Sequence, residues 1–150
     1  MKNFIHNKAN VEGDVVLGNN TSAWPFASIR GDEGKIVIGD NCNVQDGAVV
    51  HGKTTIGNNV TIGHGAVIDS VTIGNNVLIG MNSTILDGAD IGDWCIVAAG
   101  AVVAPNAKIP LGSVVMGIPA KITRLMNDKD KELVEFAYKN YLKKYGENNI

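Results

Sequence analysis

Aromatic residues are scarce in this chain, at 5% of 150 residues, whereas an ordinary two-layer domain builds much of its core from Phe, Tyr and Trp. Cysteine occurs only at Cys42 and Cys95. The two lack Cys-x-x-Cys spacing, which argues against a disulfide framework and a thiolate metal cage and leaves two reduced, partly buried thiols. No apolar run approaches the roughly 20 residues of a membrane-spanning helix, and the opening Met1-Lys-Asn-Phe-Ile-His lacks the long apolar segment of a signal peptide. A cytoplasmic protein without membrane contact is therefore expected. Lys and Arg do not exceed the acids, giving a formal net charge of −2, so nucleic acid is not an expected partner.

Glycine is what the chain has in quantity, at 18 residues, and it accompanies a regular pattern. Aliphatic residues, with one Ala, recur every six positions at Val11, Leu17, Ala23 and Ile29, and again from Ile38 through Val44, Val50, Ile56 and Ile62 to Ile68. After one shortened step the series runs from Ile73 to Val115. Six is neither the period of an amphipathic helix nor that of a simple strand. Three units of six make a coil of 18 residues, which predicts a parallel β-helix shaped as a triangular prism, aliphatic side chains stacked inside and intervening ones facing out. The tetrads Ile38-Gly-Asp-Asn, Ile56-Gly-Asn-Asn, Ile73-Gly-Asn-Asn and Ile91-Gly-Asp-Trp fall at equivalent corners of successive coils, where Gly and Asn accept positive φ.

Two departures from the period carry information. The step from Ile29 to Ile38 is nine, so Gly31-Asp-Glu-Gly-Lys35 lies on or near a three-residue bulge out of the prism, able to reach a neighbour. From about Asn127 the repeat gives way to a helical pattern. Asn127 or Asp128 serves as cap, acids fill the first turn, lysines the last, and Gly146 acts as the stop. Leu133, Ala137 and Tyr141 form a stripe, with Val134, Tyr138, Leu142 and Tyr145 beside it, expected to pack along the prism. The expected organisation is thus all-β: a β-helix over residues 1–122, followed by one C-terminal α-helix within residues 123–150 and packed on it.

Polar residues that directly follow an inward aliphatic position point outward on a defined face. Arg30, His51 and Asp69 do so, separated by 21 and 18 residues, or one coil each once the bulge is subtracted. They form one column with rungs about 4.8 Å apart. Asp46 and His64, also 18 apart, form a second column on the preceding face. The two columns diverge around a corner, so a shared ion requires two chains. A closed homotrimer would set His64 of one against His51 and Asp69 of the next. Two His and a carboxylate form a known ligand set for catalytic zinc, with a fourth position left for water.

The combination Arg30-Gly-Asp32-Glu33, Asn43-Val-Gln45-Asp46, His51 and Ile62-Gly-His64-Gly resembles the gamma-class carbonic anhydrases and their bacterial homologues, which are hexapeptide-repeat proteins with left-handed coils. The resemblance spans the prism and continues through Gly117-Ile-Pro-Ala-Lys121, a segment that hexapeptide acyltransferases also carry in similar form. It implies a homotrimer with zinc or another divalent transition metal at each subunit boundary, hydrating CO2 reversibly to bicarbonate, a lyase reaction. His51 and His64 match two of that family's histidine ligands, and Asp69 stands where it has a third. Gln45 matches the glutamine that orients metal-bound water, Arg30 and Asp46 an intersubunit ion pair, Asp32 and Asn43 supporting polar residues. Glu33 matches an acidic residue near the site, and Tyr141 a tyrosine of the helix. A carboxylate at position 69 reduces the charge felt by bound water and raises its pKa, so slow zinc chemistry, a harder metal or loss of the metal are the expected outcomes. Two alternatives share the fold: a transferase moving an acyl group from acyl-CoA, with His64 or His51 as general base, and a non-catalytic trimeric scaffold.

Overall fold

A computed structural model describes residues 3–148. The outermost residues of the two expected segments, 1–2 and 149–150, lie outside the described residues. Every aliphatic position of the repeat from Ala23 to Val115 is buried, and these side chains form one continuous core, with Val11 and Leu17 partly buried at its upper end. The strands are short because each runs only the width of one prism face. One face stacks Phe4–Ile5, Ser22–Ala23, Asn43–Val44, Thr61–Ile62, Leu78–Ile79, Ile96–Val97 and Ser113–Gly117 in parallel register. A second stacks Val49–His51, Val67–Asp69, Thr84–Ile85 and Val102–Val103, and a third Thr54–Ile56, Thr72–Ile73, Asp90–Ile91 and Lys108–Ile109. The long strand Ser28–Ile38 turns a corner and belongs to both of these faces, pairing with Val49–His51 through its first half and with Thr54–Ile56 through its second.

The bulge expected after Ile29 lies in this strand. Its partner strand Asn10–Leu17 matches Gly13 to Gly31 and Val15 to Ile36, so residues 32–35 face Asp14 alone, an excess of three.

At the corners the structure divides between Gly and Asn a task expected of both. Asn41, Asn59, Asn76 and Trp94, the last residues of the four tetrads, take the left-handed φ, from 53° to 59°. Gly57 is needed for closeness instead, since a Cβ there would stand 2.8 Å from the backbone of Gly74 one rung below. The asparagines also bond along the axis: Asn20 Nδ2 donates to Asn41 Oδ1 at 3.1 Å, Asn41 to Asn59 and Asn59 to Asn76 at 3.0 Å each. Asn/Gln ladders of this kind reinforce stacked parallel strands.

Both thiols are unpaired and buried. Burial pushes Cys42 up to about 12 and raises Cys95 as well, so neither supplies a thiolate.

After Ser113–Gly117 the chain reverses, and Ala120–Leu125 returns antiparallel along that strand, spanning position 122 where the prism segment was expected to end. The helix Asp128–Asn148 follows. Asn127 is its cap: Asn127 Oδ1 accepts from the Asp130 amide at 3.0 Å, and Asp130 Oδ2 accepts from the Asn127 amide at 2.9 Å, a reciprocal capping pair. The helix passes through Gly146 and leaves no basic residue in its last turn, so the expected glycine stop and terminal lysines are corrected. An exposed Gly near a helix end costs only about 1 kcal/mol, too little to end the helix. Val134, at 1% exposure against Ile96 and Val114, is the anchor, whereas Leu133 is about half exposed. Higher up, Tyr141 meets Trp24 edge-on at 5.2 Å, and Trp24 lies 5.0 Å from Phe4. No helix among the described residues is long and apolar enough to cross a membrane.

Arg124 grips the Asp130 carboxylate through both terminal nitrogens, with Nη2 to Oδ1 at 2.9 Å. This contact holds Asp130 down to about 2 from an ordinary 3.8. A carboxylate with a depressed folded pKa stabilises above its unfolded pKa and loses that contribution as pH falls through the folded value. Asp130→Asn should therefore lower the melting temperature at pH 6 by far-UV circular dichroism, and the gap to wild type should narrow between about pH 4 and pH 2.

Candidate functional site

Arg30, His51 and Asp69 occupy facing positions on three successive rungs, since Arg30 pairs with His51 and His51 with Asp69 in the parallel register. Beneath them Ile29, Val50 and Ile68 are fully buried, which forces the alternate side chains outward. The expected column is therefore present.

Its side chains hold one another. Arg30 Nη2 stands 3.1 Å from His51 Nε2. A guanidinium can only donate, so Nε2 accepts and the ring proton lies on Nδ1, which faces Asp69 Oδ2 at 3.5 Å. Asp69 Oδ1 accepts from the Ser70 hydroxyl at 2.9 Å. The bulge folds over this column, placing Asp32 Oδ1 3.3 Å and Glu33 Oε2 3.7 Å from His51 Nε2, with Arg30 Nε 3.5 Å from Asp32. Thus both ring nitrogens of His51 are engaged within the chain, and no three His, Cys, Asp or Glu among the described residues are grouped as metal donors in one chain.

The second column is simpler. Asp46 and His64 sit one rung apart at the neighbouring corner, with the Gly65 amide donating to the Asp46 carbonyl at 3.0 Å. Asp46 Oδ1 lies 3.2 Å from His64 Nδ1. A carboxylate on Nδ1 fixes the proton there and leaves the Nε2 lone pair available, the arrangement of a general base. Both side chains are about half exposed, so solvent or a ligand reaches the ring.

Asn43 and Gln45 lie inside, on the face under the helix, at 1% and 6% exposure. Gln45 Nε2 donates to Asn43 Oδ1 at 3.1 Å, and Asn43 Nδ2 donates to the Thr61 hydroxyl at 3.0 Å, a chain that fixes the Gln45 amide.

A groove of about 570 Å³ runs between this face and the helix, with Gln45, His64 and Tyr141 in its wall together with Leu78, Met81 and Phe136. Burial and then the charge of Asp46 raise the pKa of Tyr141, so its hydroxyl stays protonated and able to donate. The sequence pattern did not reveal this groove or the part of Met81 and Phe136 in it. Coil arithmetic positions rungs against one another but says nothing of how a helix lies on them.

The geometry has counterparts among known proteins. Residues 35–70 and 70–105 match the bacterial transferase hexapeptide (six repeats) family. A putative acetyltransferase from Bacillus cereus is 35% identical, with 96% of this chain and 90% of that one covered and a TM-score of 0.88. A hexapeptide transferase family protein from Anaplasma phagocytophilum is 32% identical, with 95% and 90% covered and a TM-score of 0.85. The acetyltransferase domain of PglB from Neisseria gonorrhoeae, solved with acetyl coenzyme A, is 26% identical over 80% of this chain and 57% of that one, at a TM-score of 0.74. The carnitine operon protein CaiE of Escherichia coli is 41% identical over 49 residues, 33% of this chain and 25% of CaiE, so the match spans a quarter of that relative's length. These solved structures are named as transferases, which favours the acyl-transfer alternative over the lyase expected from the carbonic anhydrase resemblance. The chain belongs to the hexapeptide-repeat transferase family.

Proposed function

We propose that this protein is an acyltransferase, taking an acyl group from a thioester of the acyl-CoA kind and passing it to an amine or hydroxyl. The observation that carries this reading is the Asp46–His64 pair at the groove, with Nδ1 tied to the carboxylate at 3.2 Å and Nε2 left free to accept. Its likeness to the PglB domain solved with acetyl coenzyme A supports it.

In the reaction His64 Nε2 takes the proton of the acceptor N–H or O–H as that atom attacks the thioester carbonyl. The carbonyl oxygen gains charge, and Tyr141 O–H and Gln45 N–H are the donors at hand in the groove wall to stabilise it. The C–S bond then breaks, the acyl group stays on the acceptor, and the thiolate leaves with the proton held by His64. Asp46 keeps the imidazole in the required tautomer and stabilises its charged form. The working unit is a homotrimer, whose neighbouring chain brings the Arg30–His51–Asp69 column to the His64 corner.

Titration calorimetry with CoA thioesters, combined with a free-thiol release assay over a panel of amines and alcohols, tests the reading. Binding and acceptor-dependent thiol release are expected. The absence of both binding and thiol release would overturn it.

A metal-bearing reading rests on a different observation, that His51 and Asp69 are side by side on one column. It needs His51 to leave Arg30 or Asp69 and a neighbouring chain to supply His64, so within one chain the residues do not fit an ion. Stoichiometric zinc in protein purified without added metal, together with CO2 hydration, would favour this reading.

A further inference from the structure

We infer that the groove beside His64 holds the hydrocarbon tail of the transferred acyl group, so that the protein prefers medium-chain thioesters to acetyl. This rests on the acyl-transfer reading. The polar members of the groove, Gln45, Thr61, His64, Asn140, Tyr141 and Lys144, belong to the rungs and helix turns at one end. From there it runs past Leu78 and Met81 to Ile96 and Ala98, two rungs further, against Leu133, Phe136 and Ala137. Two rungs span roughly 10 Å, the length of an extended chain of about eight carbons at ordinary C–C distances.

Hydrocarbon suits this stretch better than the pantetheine arm of the same donor. Pantetheine carries two amides, and a buried amide without a partner is costly. Along the two rungs the lining side chains offer no donor or acceptor. The backbone amides of Gly63, Gly80 and Ala98 are spent in the coil ladder on Ile79, Val97 and Val115. A hydrocarbon chain needs none of them. The rim points the same way, because Met81, Leu133 and Phe136 are 55%, 49% and 67% exposed, an apolar edge that a tail of this length would cover.

Affinities of acetyl-, butyryl-, hexanoyl- and octanoyl-CoA, measured by titration calorimetry on the full chain, test the inference. Affinity should rise along the series by about tenfold or more, as burial of successive methylenes requires. Ala137→Trp, which fills the apolar stretch, should collapse the ratio of octanoyl to acetyl affinity towards one. Phe136→Ser, on an exposed rim position that leaves the core untouched, should reduce the ratio with no change in oligomer mass by light scattering. Equal affinity along the series overturns the inference and leaves acyl transfer standing. Loss of oligomer mass in Phe136→Ser with an unchanged ratio overturns it too, assigning the rim to a second copy of the chain. No binding of any thioester overturns both readings.

Discussion

His64→Ala should lower kcat/KM for acyl transfer by about 10²- to 10⁴-fold, the range a positioned general base supplies. The His64 side chain is about half exposed at a corner, so the variant should keep its circular dichroism spectrum, melting temperature and oligomer mass. Added imidazole should restore part of the lost rate, since a small base can enter the space the ring vacates, and a purely structural role would give no such rescue. Asp46→Asn belongs to the same test. An amide on Nδ1 can hold the wrong tautomer, with the proton on Nε2, and a base so protonated cannot accept. Its rate should therefore fall with acceptor affinity nearly unchanged, and a rise in KM with kcat retained would instead make Asp46 a binding residue.

Ile68→Ala should be the most damaging single change to the fold among conservative substitutions near the site. Ile68 is fully buried, between Val50 on the rung above and Ile85 on the rung below. Loss of a buried Ile side chain costs about 2–5 kcal/mol, roughly 5–15 °C in melting temperature for a chain of this size. A β-helix has no separate layer to relax into the space, because each rung contacts only the rungs beside it. The effect is also local to function, since Ile68 fixes the strand that presents Asp69 to His51. Thermal denaturation checks the size, and Val16→Ala is the control: Val16 is about half exposed, and its truncation should stay within about 0.5 kcal/mol.

The prism could be read from the sequence because its period is carried by one residue class at a spacing of six from Ile38 to Val115, broken by a single shortened step, and an 18-residue coil turns spacing into stacking. The Arg30–His51–Asp69 and Asp46–His64 columns follow from the same arithmetic, and the strand register reproduces both. What arithmetic does not carry is direction. It put His51 and Asp69 side by side as donors to an ion, but His51 turns one nitrogen to Arg30 and the other to Asp69, a matter of ring rotation within a rung. Gln45 shares the groove wall with the helix, whose placement was legible only as an apolar stripe. That stripe put Leu133 and Val134 side by side. Packing chose Val134 as the anchor and left Leu133 on the groove.

The antiparallel return of Ala120–Leu125 has a consequence beyond the site. Parallel rungs in register form an open template: the last one offers a row of unpaired backbone groups on which another molecule's first rung could dock, and repetition would grow a filament. The return strand occupies that row with backbone of opposite direction, exchanging hydrogen bonds from Ser113 to Gly117. What it leaves exposed presents no parallel register to an incoming Phe4–Ile5 rung. The hairpin thus closes the last edge of one prism face, whereas Val102–Val103 and Lys108–Ile109 are, among the described residues, the uncapped last strands of the other two.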